Sequence, residues 1–435
     1  MTMKTMQIYQ VRETELKPLA MLVMANGHTV PSKEVPERTD TLCKGLLRQP
    51  RVSCATPSQE EEQAANTTLA TLLPRLHNPR YLDGLRHVEQ PRDPAHAREL
   101  AQDYAAPGIE QNTLLDNTCY PRAEASAMAS LLAARGLTQR YADYTYALCR
   151  PPGHHAGRTF LGGYCFLNNA AIAARTLADE GLAPVSVIDI DHHVGNGTSD
   201  VLSAHPDIHF YSLHALSEKT FPYQHAIAPA HPAHRYTGFE TPPDATAYLA
   251  ALDNVLMDAV SSGARSLVVS VGFDIIEDEP HGIWRLSPQV FQAIGERFAA
   301  ANLPICFVQE GGYLMSALSD CAFALVNGLL APATHPPRVR QGNPLEGLEP
   351  FRVQINELDD AIISLIAQRI DVCTQVAAYK RTHDIPMMQP GRLNAVKQRC
   401  AERAASHGLN PEFAIALYER IIDEACRLED SIIKA

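Results

Sequence analysis

The chain has ten cysteines but no Cys-x-x-Cys pair. Scattered from Cys43 to Cys426, they suit free thiols in a reducing compartment better than a disulfide framework. The first residues, Met1 to Ile8, lack the apolar stretch of a signal peptide. No apolar run approaches the length needed to cross a membrane. These absences point to a cytoplasmic protein with no membrane partner. Positive charge is also short. Against 49 Asp and Glu stand 37 Lys and Arg, a net charge of −12, which argues against nucleic acid and favours cationic or neutral partners. Apolar residues make up 46% of the chain, ample for packed cores, and 435 residues suggest two domains.

The apolar run Pro184 to Ile188 reads as a buried strand of a parallel sheet. It leads into Asp189-Ile190-Asp191-His192-His193-Val194-Gly195-Asn196-Gly197. Strand alternation points Asp189, Asp191 and His193 the same way. Two carboxylates and an imidazole converging there suit a divalent metal. Further runs read as strands: Met6–Val11, Tyr144–Cys149, Asp207–Tyr211, Ser266–Val271 and Pro304–Val308. Helical segments lie between the later ones (about 246–262 and 288–301), and an Ala-rich helix covers about 122–135. Strand–helix–strand order is the signature of a parallel α/β sheet, in which ligands bind outside the carboxyl ends of the strands. The polar clusters sit at such ends: the turn Arg150 to His155, Ser212-Leu213-His214, Gly272-Phe273-Asp274 and Gln309 to Tyr313. A glycine-rich loop, Gly162 to Asn169, follows the first of them.

In this order, Arg-Pro-Pro-Gly-His-His, Gly-Gly-Tyr-Cys-Phe-Leu-Asn-Asn, Asp-x-Asp-x-His, Gly-Phe-Asp and Glu-Gly-Gly-Tyr resemble the zinc-dependent histone deacetylase family. That family includes bacterial acetylpolyamine and acetoin-utilisation relatives, and the resemblance runs from about Met6 to Leu330. It implies an arginase/deacetylase-like parallel sheet with helices on both faces. It implies zinc held by Asp191, His193 and Asp274, with a position left open for water and substrate. By the family's roles, His155 takes a proton from water and returns it to the leaving amine. His154 is its electrostatic partner, oriented by Asp189, and Asn196 orients His155. Tyr313 donates a hydrogen bond to the tetrahedral oxyanion. Asp189 and Ser212 match side chains around a structural potassium. Gly163, Tyr164 and Phe221 match the substrate tunnel, and Arg38 matches an arginine beneath it.

The chain departs from that pattern at three places. Val194 stands where the family usually has a second histidine, and His192 precedes the ligand instead, reading as a packed or solvent-facing side chain. Asn196 replaces the aspartate of some members, which leaves His155 less basic. The run Glu277-Asp278-Glu279 near the mouth either attracts a cationic substrate or is solvated surface. An acetylated polyamine, an acetylated lysine side chain and an acetylated biosynthetic intermediate all remain open as substrates.

The domain boundaries read as 1–330 for the deacetylase-like part, 331–347 for a Pro- and Gly-rich linker and 348–435 for a helical domain. Phe351 to Ile385 contains neither Gly nor Pro, and Leu358, Ile362, Leu365, Val372 and Val376 repeat at helical steps. Arg369 and Lys380 fall on the same stripe, since eleven residues at about 100° leave them roughly 20° apart. Cations on an apolar face need an anion, or must snorkel to an edge. Two more helices follow, from Arg392 to about Ser406 and from Pro411, capped by Asn410, to about Ile432.

This three-helix pattern, over Leu348–Ile433, resembles the all-helical chorismate mutases and the related isochorismate-pyruvate lyases. The resemblance implies that Arg352, Arg369, Lys380 and Arg392 clamp the carboxylates and ether oxygen of chorismate or isochorismate, with Glu429 completing the set. Arg352 lies 17 residues before Arg369, about 26 Å along a helix, so it reaches the same ligand only from a partner chain. A homodimer through this domain is the expectation. Gln389 and Leu393 stand where mutases usually carry acids, which brings the chain closer to the lyase branch. Glu429 stands where both branches usually have glutamine, and it must be protonated to help. Burial against Ile422, Ala425 and Ile432 is what would raise its pKa.

The leading reading is a bifunctional enzyme, a zinc-dependent deacetylase fused to a chorismate mutase-type domain. The alternatives make the helical domain a lyase, or a dimerisation or ligand-sensing module without catalysis. A first domain that only binds acetyl groups is opposed by its full set of catalytic residues. An arginase-like two-metal enzyme is opposed by the single complete metal site.

Overall fold

A computed structural model of the chain describes residues 4–10, 21–23, 29–106, 113–216, 220–222, 231, 233–331, 349–383, 385–386, 390–406 and 409–434. It divides into two compact units, Met1–Thr334 and His335–Ala435.

Among the described residues the larger unit carries ten strands: β1 (Met6–Tyr9), β2 (Met21–Val23), β3 (Thr29–Pro31), β4 (Val52–Cys54), β5 (Tyr144–Ala147), β6 (Val185–Asp189), β7 (Ile208–Ala215), β8 (His234–Phe239), β9 (Ser266–Val271) and β10 (Ile305–Gln309). Eight of them form one sheet in the order β4-β1-β5-β10-β9-β6-β7-β8. Every neighbouring pair in it is parallel. β2 and β3 pair separately and antiparallel. Successive side chains of β6 serve opposite layers. Val185 and Val187 join the core under helices Cys119–Thr138 and Asn169–Leu177. Ile188 packs with helices Ala245–Ser261, Val290–Ala301 and Met315–Leu330 on the other face. Burial on both faces is why the central strands read as continuous apolar runs.

Two strands of the eight-stranded sheet, and the small β2-β3 pair, escaped the sequence reading. β4 is too short to show alternation, and β8 is a polar strand at the sheet's edge. Helix Gln59–Leu76 was also missed, although the Ser58–Glu61 capping box at its start is legible in the sequence.

The order β5-β10-β9-β6 matters most for the site. These four strands are far apart in sequence but adjacent in the sheet, so the turns leaving their carboxyl ends converge.

The described residues of the smaller unit form three helices, Glu349–Thr382, Pro390–Ser406 and Pro411–Lys434. The first stops short of the expected Ile385. Asn410 caps the third, its Oδ1 accepting the Glu412 N–H at 2.9 Å. Along the first helix the apolar stripe is left uncovered: Ile362, Leu365, Val372 and Val376 are 42–66% exposed together with Ile363. No helix among the described residues is long and apolar enough to cross a membrane.

Candidate active site

The chain turns sharply where the four strand ends meet, and glycines sit where backbone or carboxylate leaves no space. A Cβ on Gly272 would fall 2.1 Å from Asp191 Oδ2. Gly312 adopts φ +108°, a conformation that a side chain strains.

Asp191, His193 and Asp274 come together, with one candidate ligand atom from each lying within 4.8 Å of the others. His193 Nδ1 lies 3.0 Å from both Asp191 Oδ1 and Asp274 Oδ2. The backbone holds the carboxylates from behind. Gly311 N–H donates to Asp191 Oδ2 at 2.9 Å, and His192 N–H to Asp274 Oδ1 at 3.0 Å. Burial works against charge on His193, yet Asp191 and Asp274 hold its pKa up at about 10. The cluster therefore demands positive charge. Asp274 Oδ2 is sealed from solvent with the His193 ring beside it at 3.0 Å, a buried carboxylate position that fits a metal ligand. Two carboxylates and an imidazole are a donor set suited to zinc.

Asp189, on the same strand, serves a different partner. Its Oδ2 lies 3.0 Å from His154 Nδ1, and its Oδ1 accepts the Asp191 N–H. Against burial, Asp191 and Asp189 keep the His154 pKa near 10. Its neighbour behaves oppositely. Burial first, then His154 and His193, push the His155 pKa well below the usual value. His155 Nδ1 meets the neutral Asn196 Oδ1 at 2.7 Å. The two imidazoles lie 4.0 Å apart between centroids, one held cationic and the other neutral. His192 packs: it is fully buried, edge-on to Trp284, with Nε2 accepting the Ile283 N–H. Ser212 is the register partner of Asp189 on β7, and its hydroxyl lies 3.0 Å from His214 Nδ1.

Aromatic walls surround this centre. Phe221 lies edge-on to His155 at 4.5 Å, and Tyr164 lies 5.6 Å from Tyr313. Gly163 must be glycine here, since its Cβ would meet the His155 ring at 2.3 Å. Tyr164 itself holds φ +67°, a strained conformation for a tyrosine, costing about 1–3 kcal/mol. Arg38 is fully buried, donates to the carbonyls of Gly312 and Glu310, and stacks 4.4 Å over the Tyr313 ring.

Several groups at the site were not assigned from sequence. Glu310 accepts the N–H groups of Gly153 and His154, fixing the His-His turn. Glu34 pairs with Arg38, Arg122 and Arg150 in a buried cluster. His281 lies 5.0 Å from the Tyr313 ring, with Nε2 3.3 Å from the Tyr164 hydroxyl. The reading of Glu277-Asp278-Glu279 as one acidic run does not hold. Glu277 and Asp278 are exposed, but Glu279 is buried and accepts hydrogen bonds from the Tyr313 and Leu314 N–H groups. A charge run gives no sign that one member turns inward.

In the helical unit, Lys380 and Glu429 meet at 2.8 Å across the first and third helices. This supplies the anion that a cation on that stripe requires. Glu429 is buried, with a cationic partner in Lys380. Arg369 is half-buried, its Nη1 3.8 Å from Cys373 Sγ. The side chains of Arg352 and Arg392, and residue Gln389, lie outside the described residues. Leu393 is half-buried.

Comparison with known proteins agrees with this division. The histone deacetylase domain family matches residues 32–329, and chorismate mutase type II matches residues 351–430. Acetylpolyamine amidohydrolase 1 of Pseudomonas aeruginosa is 35% identical over 215 residues, covering 47% of this chain and 60% of that protein. The chain thus spans less than two thirds of that relative's length. The 4-amino-4-deoxychorismate mutase of Streptomyces venezuelae is 43% identical over 86 residues, covering 20% of this chain and 84% of that one. The crystal structure of an acetylpolyamine aminohydrolase from Burkholderia pseudomallei superposes with a TM-score of 0.61 at 25% identity, covering 75% of this chain and 99% of its own. From motifs, converging strand ends and family matches alike, the chain belongs to the histone deacetylase family and carries a chorismate mutase type II domain at its C-terminal end.

Proposed function

We propose that the larger unit is a zinc-dependent deacetylase that hydrolyses an acetyl-amide. The observation that carries this is the buried Asp191–His193–Asp274 cluster beside one cationic and one neutral histidine. Those three residues would hold the metal through carboxylate oxygens and His193 Nδ1. When bound, zinc supplies Lewis acidity toward a carbonyl and lowers the pKa of water. The other roles belong to the chain. His155, kept neutral by burial, accepts the proton of the attacking water and passes it to the departing amine. Asn196 holds its Nδ1 and so fixes the tautomer. His154, charged beside Asp189 and Asp191, adds positive potential near the developing oxyanion. Tyr313 donates a hydrogen bond from its hydroxyl to that oxyanion, and Gly163, Tyr164 and Phe221 line the path of the acyl group. The relatives' names favour an acetylated polyamine, with acetyl-lysine and an acetylated biosynthetic intermediate as the other substrate classes. A structural potassium beside Asp189 and Ser212 belongs to the same proposal, supported by the family resemblance and by their buried, paired positions.

The helical domain we read as a second enzyme that rearranges chorismate, isochorismate or an amino analogue of chorismate, working as a homodimer. The exposed apolar stripe of its first helix and the Lys380–Glu429 pair support that reading, as does the name of the Streptomyces relative. A lyase, or a dimerisation or ligand-sensing module without catalysis, is the rival, favoured by Gln389, Leu393 and Glu429. The scattered free cysteines support a reducing, cytoplasmic setting.

The test is turnover by the purified protein of N-acetylputrescine and an acetyl-lysine peptide, and separately of chorismate, isochorismate and 4-amino-4-deoxychorismate, at pH 5 and pH 8. Acetate release with no loss of the chorismate-type compounds would leave a deacetylase with a dimerising or sensing domain. No acetate release would overturn the first reading.

A further inference from the structure

Tyr313 enters the site on a short segment with no side-chain cap, directly ahead of helix Met315–Leu330. The backbone N–H of Leu314, the N-cap, belongs to the donors that a helix start leaves without partners, and that of Tyr313 lies one residue before it. One side chain from another loop takes both. The Glu279 carboxylate accepts Tyr313 N–H at 2.9 and 3.1 Å and Leu314 N–H at 3.0 Å. Glu279 is 5% exposed and lies on the loop after Asp274. Two residues later on that loop, His281 stands edge-on to the Tyr313 ring. The same loop thus grips the backbone of Tyr313 and limits its ring.

The rest of the segment is tied as well. Gly311 N–H is bonded to Asp191, and Arg38 holds the carbonyls of Glu310 and Gly312. Without Glu279, these backbone anchors would end at Gly312, leaving the tyrosine held only through its ring by Arg38, Tyr164 and His281.

We propose that Glu279 is the positioning residue for Tyr313: its carboxylate, capping the Tyr313 and Leu314 amides from the neighbouring loop, sets where the tyrosine hydroxyl can donate. This rests on the reading of Tyr313 as the oxyanion's donor. A carboxylate suits the place because two amides at a helix start favour negative charge. Glutamine is isosteric but has one acceptor oxygen, and its amide group would face an N–H. Displacing a catalytic group by about an ångström can cost on the order of 100-fold in rate.

The experiment compares Glu279→Gln, Tyr313→Phe and the double variant in the full-length zinc-loaded protein. The substrate is whichever of N-acetylputrescine and an acetyl-lysine peptide the parent turns over faster. The expected result is a drop in kcat of roughly 10- to 100-fold for Glu279→Gln with KM little changed. The double variant should be no slower than Tyr313→Phe alone, because Glu279 acts through that hydroxyl. Amide hydrogen exchange across 310–316 should be faster in Glu279→Gln, a readout independent of turnover. Glu279→Asp, which keeps the charge, should recover part of the rate. If Tyr313→Phe is slow but Glu279→Gln keeps the parental kcat, the positioning role is wrong and the deacetylase reading stands. Multiplicative losses in the double variant would also overturn it, marking Glu279 as a general structural residue. A fully active Tyr313→Phe, or a parent inactive on both substrates, would instead sink the underlying reading of the site.

Discussion

His155 and Asn196 meet at 2.7 Å, an imidazole nitrogen against a neutral amide oxygen, whereas His154 meets the carboxylate of Asp189 at 3.0 Å. Two adjacent histidines are thereby driven apart in basicity. A difference of one atom type in the partner contributes to which of them can accept a proton.

Replacing Asn196 by aspartate should narrow that gap. A carboxylate beside His155 favours its protonated form and raises its pKa. The base must be neutral to act, so the acid limb of the kcat/KM profile should move to higher pH. A pH–rate profile of the variant checks this. A limb that stays put would mean His155 is not the group that limits activity on the acid side.

Tyr313→Phe removes one donor to the oxyanion while leaving the ring between Arg38, Tyr164 and His281. Loss of such a donor costs about 100- to 1,000-fold in kcat. Zinc content, measured by elemental analysis, should be unchanged.

Chelation should separate the two units functionally. Treatment with dipicolinate is expected to abolish acetate release, and added zinc to restore it. Turnover of chorismate-type compounds should persist throughout, because the expected ligands all lie in the larger unit. Loss of both activities together would tie the second reaction to the metal as well.

Glu429→Gln tests the ion pair of the helical domain. It removes the anion that Lys380 meets at 2.8 Å, and turnover of chorismate-type compounds should change if that pair belongs to the site. The measurement is the initial rate for both proteins. An unchanged rate would leave Glu429 as the ion-pair partner of Lys380 and nothing more.

His77 makes the larger unit sensitive to acid. Its ring is buried between the Gly157 carbonyl, 2.8 Å from Nδ1, and the Asn168 N–H, 3.0 Å from Nε2. One nitrogen must donate and the other accept, so the neutral form is required. Burial lowers its pKa from 6.5 to about 4. The unfolded state therefore takes up the proton first. The stability is fully present above pH 6.5 and is lost as the pH falls toward 4, by about 3 kcal/mol. Urea unfolding of the parent and of His77→Gln at pH 7 and pH 4.5 tests this, the variant losing less between the two.

Local rules determined much of this in the sequence alone. The six runs were legible because strands buried on both faces are mostly apolar, as Leu267, Val268, Val269 and Val271 within Ser266–Val271 show. The ligand choice of His193 over His192 followed from alternation, and the structure brings His193 to Asp191 and Asp274 while His192 packs on Trp284. The long helix of the C-terminal domain was legible from the absence of Gly and Pro. Tertiary structure decided the remainder. Strand order placed β10 and β9 between β5 and β6, and no local pattern encodes which strands become neighbours. The inward turn of Glu279 depends on unsatisfied amides 34 residues away, at Tyr313, and the partner of Lys380 lies 49 residues off on another helix. Such groups are chosen by what a folded neighbour leaves without a hydrogen bond or a counter-charge. That demand exists only once the chain has closed on itself.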